Sequence, residues 1–165
     1  MKNFTVAISF ILLCTSCLVH KGQWVNGECR PKNPNFKLLK VPFNRSEKLT
    51  FNRVYQMGVN VKSFGIGFYS DGRLIFFVTT GDNELNRSDV LGKKWENAGA
   101  IGYWRAEGNQ IKIEYFVCGD FGTYIEKKGE IKGDTLIFER DCGTSNPFKS
   151  VKCPEKYVLS DLSFD

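Results

Sequence analysis

Six cysteines, at positions 14, 17, 29, 118, 142 and 153, are the most reactive groups in this 165-residue chain. Thiols can pair as disulfides, ligate a metal or carry a covalent modification. A zinc site needs closely spaced ligands, and no two cysteines after Cys17 are spaced that way. The only histidine is His20, so neither a mixed metal site nor a Ser-His-Asp or Cys-His relay is expected. Once Cys14 and Cys17 are set aside, Cys29, Cys118, Cys142 and Cys153 form an even set. Two disulfides in an oxidising compartment are the expectation, with three pairings open.

Carboxylates are the second candidate chemistry. Asp82, Glu84 and Asp89 fall within residues 79–100, the longest stretch without a strand pattern, and long loops often carry function. Asp82-Asn83-Glu84 offers oxygen ligands but lacks the spacing of an EF-hand loop. A carboxylate pair on facing strands, drawn from these acids and from Glu114 and Glu139, would suit glycoside hydrolysis. The simpler expectation is a solvated loop with incidental acids. No glycine-rich loop joins a strand to a helix, so a phosphate cradle has no support. No catalytic, metal-binding or cofactor-binding residue is therefore assigned.

Where these groups work depends on the N-terminus. Lys2 precedes an apolar run from Phe4 to Leu13, the layout of a secretory signal and too short to cross a bilayer. Leu13-Cys14-Thr15-Ser16-Cys17 resembles the bacterial lipobox, which implies removal of residues 1–16 and acylation of Cys17. The expected product is an exported protein held to a membrane of the bacterial cell envelope by its lipid, since two or more acyl chains anchor stably. Ordinary cleavage near Ser16 would leave it secreted. Residues 17–48 are expected to form a tether and N-terminal extension, with a spacer over 18–34, and residues 49–165 the folded domain.

Composition limits the partners. The formal net charge is +5, one unit less without Lys2, and the basic residues are dispersed. The densest group, Lys37, Lys40, Arg45, Lys48 and Arg53, is broken by apolar residues and Glu47. That reads as a solvated basic face, and nucleic acid is not an expected partner. Asn44 and Asn86 lie in Asn-X-Ser sequons, which are glycosylation acceptors only in a eukaryotic source.

Fourteen phenylalanines and sixteen glycines favour strands joined by tight turns. Phe64–Phe68, the turn Tyr69–Gly72 and Arg73–Val78 read as one hairpin, marked by Asp71-Gly72. Ile101–Arg105 and Gln110–Val117 read as a second, and Thr123–Ile131 with Thr135–Glu139 as a third. Ile111, Ile113, Tyr115 and Val117 share one face, with Lys112 and Glu114 on a wet one. Leu49–Val54 and Gln56–Val61 are weaker strand candidates. No helical period follows the signal. Short strands in meander order predict an all-β chain, a single antiparallel up-and-down β-barrel, which leaves no open edge.

The segments Gly102–Glu114 and Lys128–Phe138, with their Gly-Asn and Gly-Asp-Thr-Leu turns, resemble the later hairpins of small lipocalin-like bacterial lipoproteins. Gly22-Gln23-Trp24 has the spacing of the lipocalin start motif, close to the anchor. The resemblance implies a lipocalin-like barrel and a non-enzymatic role: binding a small apolar ligand, or acting as an envelope interaction module. A barrel of about eight strands can hold one small ligand. Tyr103, Ile111, Ile113 and Tyr115 are the candidate cavity-lining residues, although a filled interior is the competing expectation. Trp95, beside Lys93 and Lys94, is expected on an exposed loop. Two other classes stay open: a secreted carboxylate-dependent hydrolase of glycans or lipids, and a disulfide-stabilised inhibitor or adhesion module.

Overall fold

The computed structural model describes residues 21–25, 28–57, 64–79, 84–119, 122–142 and 151–164. The signal, Cys14, Cys17, His20 and Asp82 therefore lie outside the described residues. Among the described ones the strands are β1 (Gly22–Val25), β2 (Glu28–Pro31), β3 (Arg53–Met57), β4 (Phe64–Phe68), β5 (Arg73–Val78), β6 (Ala100–Glu107), β7 (Gln110–Val117), β8 (Thr123–Lys132), β9 (Thr135–Cys142) and β10 (Val151–Ser163). Helical structure among the described residues is limited to α1 (Arg87–Val90) and two 3-10 turns, Lys37–Lys40 and Trp95–Asn97.

β3 to β10 pair in sequence order, every pair antiparallel, and β10 closes onto β3. The result is an eight-stranded up-and-down barrel, as the meander pattern predicts. Alternation decides which side chains enter it, because successive residues of a strand point to opposite faces. Leu74 and Phe76 of β5, Trp104 of β6, Ile111 and Ile113 of β7, and Leu136 and Phe138 of β9 belong to the interior cluster. The loops Gly108-Asn109 and Gly133-Asp134 turn between paired residues with positive φ only at glycine. That is the pattern of a two-residue type II′ hairpin.

Much of the outer wall is covered as well. Ile75, Phe77 and Ile101, the odd-numbered residues of β5 and β6, pack with Val54, Leu85, Val90, Ala98 and Phe164. Phe164 lies over Gly67, where an added Cβ would meet its ring at 2.3 Å; only glycine leaves room for that contact. On the far side Phe36 and Cys29 pack on Phe116 of β7. The expected spacer is thus partly structured: β1 and β2 form a hairpin, and β2 lies against β6 and β7.

Cys29 bonds to Cys118 and Cys142 to Cys153. One bridge ties the N-terminal hairpin to the end of β7, and the other links β9 to β10. Two disulfides fit a non-reducing, exported environment. No helix among the described residues is long and apolar enough to cross a membrane.

The two ends of the barrel differ. At the end with the short turns, Phe43, Leu49 and Phe51 pack onto Trp104 and the interior cluster. Trp104 is 0% exposed and donates its Nε1 hydrogen to the Tyr69 carbonyl at 3.0 Å. The Thr50 amide donates to the Tyr55 hydroxyl at 3.0 Å. The opposite end is formed by the last residues of β3, β5, β7 and β9 and the first of β4, β6, β8 and β10. Residues 58–63, 80–83, 120–121 and 143–150, which connect strands there, lie outside the described residues.

Candidate ligand-binding site

A cavity of about 340 Å³ opens inside this second end of the barrel. Its walls come from six strands: Met57 of β3, Phe64 of β4, Phe76 of β5, Ile113 and Tyr115 of β7, Lys127 of β8, and Glu155 and Tyr157 of β10. The size lies at the lower end of small-molecule pockets, about 300–1,000 Å³. Pairing register brings the wall together. Tyr157 stands opposite Met57 on β3, and Glu155 opposite Phe138 on β9.

One wall is aromatic. The rings of Phe76 and Tyr115 are 4.7 Å apart and those of Phe64 and Phe76 5.4 Å apart, within the range of favourable ring contacts. The other wall carries a compact polar group. Lys127 Nζ forms an ion pair with Glu155 Oε2, and the Tyr157 hydroxyl donates to Glu155 Oε1 at 3.1 Å. Glu155 is only 8% exposed. Burying a charge is costly unless it is paired and hydrogen-bonded, and both carboxylate oxygens have such a partner here.

The two phenols are held in their neutral form. Burial first, and then the Glu155 charge, pushes Tyr115 up to about 12. Tyr157 is raised by the same two causes and by its hydrogen bond to Glu155, with Arg140 acting against the rise. At neutral pH both hydroxyls are therefore donors. Tyr157 spends its hydrogen on Glu155, whereas the Tyr115 hydroxyl donates to no described residue.

Of the cavity-lining residues expected from sequence, Ile113 and Tyr115 stand in this wall, and Ile111 lies in the packed interior. Tyr103 is on the opposite face of the sheet, outside the barrel, with its ring 4.8 Å from Phe36. Its neighbours on β6, Gly102 and Trp104, point inward, so the two-residue period turns Tyr103 away. Trp95 is not freely exposed: it is half-buried against the outer cluster, 5.9 Å from the Tyr103 ring and under the Arg73 guanidinium.

The candidate acids are dispersed. Glu84 is exposed, Asp89 Oδ2 accepts the Asn86 amide at the start of α1, and Glu139 is exposed on β9. Glu114 points out of the barrel as alternation requires, yet that face is not wet. Glu114 is 2% exposed and its carboxylate accepts the Leu38 amide at 2.8 Å, because residues 33–43 run across the wall. Among the described residues Glu155 is the single carboxylate lining the cavity, and none of them supplies a second member for paired-acid chemistry there. Among the described residues no group of three or more His, Cys, Asp or Glu side chains could hold a metal ion.

Sequence reasoning missed Met57, Phe64, Phe76, Lys127, Glu155 and Tyr157. Phe64 and Phe76 were discoverable, since the predicted hairpin pairs them near Ile66 on one face. Glu155 was hidden because β10 was not predicted as a strand.

No protein-family model matches the chain, and no curated protein or solved structure is significantly similar to it.

Proposed function

We propose that this protein is a non-enzymatic binder of a small, mainly apolar molecule, held in the mouth of its barrel. The carrying observation is the 340 Å³ cavity built from six strands, with aromatic and aliphatic walls and a self-neutralised Lys127–Glu155 pair. Apolar pockets with a few converging polar groups are the usual form of a ligand site. The barrel is firmly closed at one end, so its occupant would enter at the other. Export and anchoring through an acylated Cys17 belong to the same reading, supported by the N-terminal sequence and by two disulfides.

Titration of the purified, oxidised protein with an environment-sensitive apolar dye tests the binding role. Saturable one-to-one binding, weakened when Ile113→Trp fills the cavity, is the expected result. A dye that binds equally well to wild type and to the folded Ile113→Trp variant would sink it. Mass spectrometry of the mature N-terminus tests the anchor separately; an unmodified first residue rejects it.

A further inference from the structure

The cavity's polar wall specifies what kind of head group it can take, and this inference rests on the binding role proposed above. Lys127 and Glu155 cancel each other inside the mouth, and Tyr157 completes the carboxylate's hydrogen bonding. An anionic head beside Lys127 would face the Glu155 carboxylate, and a cationic head beside Glu155 would face the Lys127 ammonium. Either would also leave water for a largely apolar site, which is costly without a free countercharge. Arg140, the other charge that acts on Tyr157, is exposed to solvent, where screening weakens it.

Among the described residues of the wall, one uncharged donor remains uncommitted. The Tyr115 hydroxyl donates to no described residue, and its ring packs at 4.7 Å on Phe76, which fixes it in the aromatic wall. A ligand that displaces water from the pocket must supply this hydroxyl with an acceptor, because leaving the bond unmade costs more than making it gains. We infer that the ligand is an uncharged amphiphile whose head is a hydrogen-bond acceptor, a ketone or ester carbonyl, received by the Tyr115 hydroxyl. Burial keeps that phenol protonated well above neutral pH, so the donor is present under ordinary conditions.

The test uses the full oxidised protein and straight-chain probes of about ten carbons, a length suited to a small pocket: a methyl ketone, a hydrocarbon, a carboxylate and an ammonium. The ketone should displace the dye at least tenfold more tightly than either ion. Tyr115→Phe should weaken the ketone about fivefold, the effect of one hydrogen bond, while leaving the hydrocarbon unchanged.

Removing one charge should redirect the preference. Glu155→Gln, which strands the Lys127 ammonium, should make the carboxylate the better ion, and Lys127→Met should do so for the ammonium. A wild-type preference for either ion, or ketone binding indifferent to Tyr115→Phe, overturns the inference while leaving the binding role intact. Failure of all four probes to displace the dye also overturns the inference, whereas the binding role falls only with a dye that binds wild type and Ile113→Trp equally well.

Discussion

The two ends of the barrel are built from the same strands but from different chemistry. At the closed end Trp104, Phe43, Phe51 and Phe68 fill the space, and the Trp104 indole and the Tyr55 hydroxyl are both hydrogen-bonded. At the mouth, aromatic side chains of similar size stop short of filling the interior, and a charged pair occupies ground that an apolar residue could have taken. Replacing such a pair with well-packed apolar residues is often neutral or stabilising. The mouth thus gives up packing that the closed end keeps, the pattern expected where a binding site is set into a stable frame.

The sharpest test of that division contrasts the disulfides. Removing Cys29–Cys118, which spans 89 residues, should cost up to about 4–5 kcal/mol by loop entropy, and Cys142–Cys153, which spans 11, about 3 kcal/mol. Urea unfolding of the two paired Cys→Ala variants measures both losses. Only the second bridge, on the strand that carries Glu155, should alter ligand affinity. An affinity loss from the Cys29–Cys118 variant instead would remove the separation of frame from site.

Trp104→Ala should cost about 3–5 kcal/mol, as large-to-small changes do in a tight core. Phe64→Ala, at the half-buried rim, should cost about half as much in the same experiment. Equal losses would mean that the mouth is as tightly packed as the base.

Lys127→Met and Glu155→Gln should each destabilise by about 1–3 kcal/mol, because each leaves a partly buried partner unpaired. The double variant should lose less than the two combined, and a double-mutant cycle gives the coupling. Strict additivity would show that the pair does not act as a unit.

The smallest effect is alkaline. Unfolded tyrosines ionise at about pH 10, whereas burial and the Glu155 charge push Tyr115 up to about 12 and raise Tyr157 as well. Below pH 10 both states hold the proton and the contribution is fully present; above it the unfolded chain ionises first. Stability should therefore fall as pH rises from about 10 to 12. Tyr115→Phe should flatten that fall, read by unfolding curves and phenolate absorbance. An unchanged slope would place the Tyr115 hydroxyl in water.

Hairpins were the legible part of this fold. β4 to β9 follow from alternating residues and glycine turns, signals local enough to survive in any context. β10 defeats the same reading because an inward position carries Glu155 and the strand contains Pro154, which argues against a central strand. Among the described residues its pairing with β3 starts at Tyr157, and at Pro154 the described neighbour is Glu139 of β9. Glu114 and Trp95 were misplaced for a related reason. The expected wet faces are covered by residues 33–43 and by residues 84–98, whose sequences show no strand or helix period.

By itself the sequence determined the order and turns of β4 to β9, because each depends on neighbours a few residues apart, and its composition supplied an oxidisable set of four cysteines. The tertiary structure alone decided the disulfide partners, the closed base and the meeting of Lys127 with Glu155. The Lys127–Glu155 and Cys29–Cys118 contacts join residues 28 and 89 positions apart, and no local rule contains the closure of a barrel that brings them together.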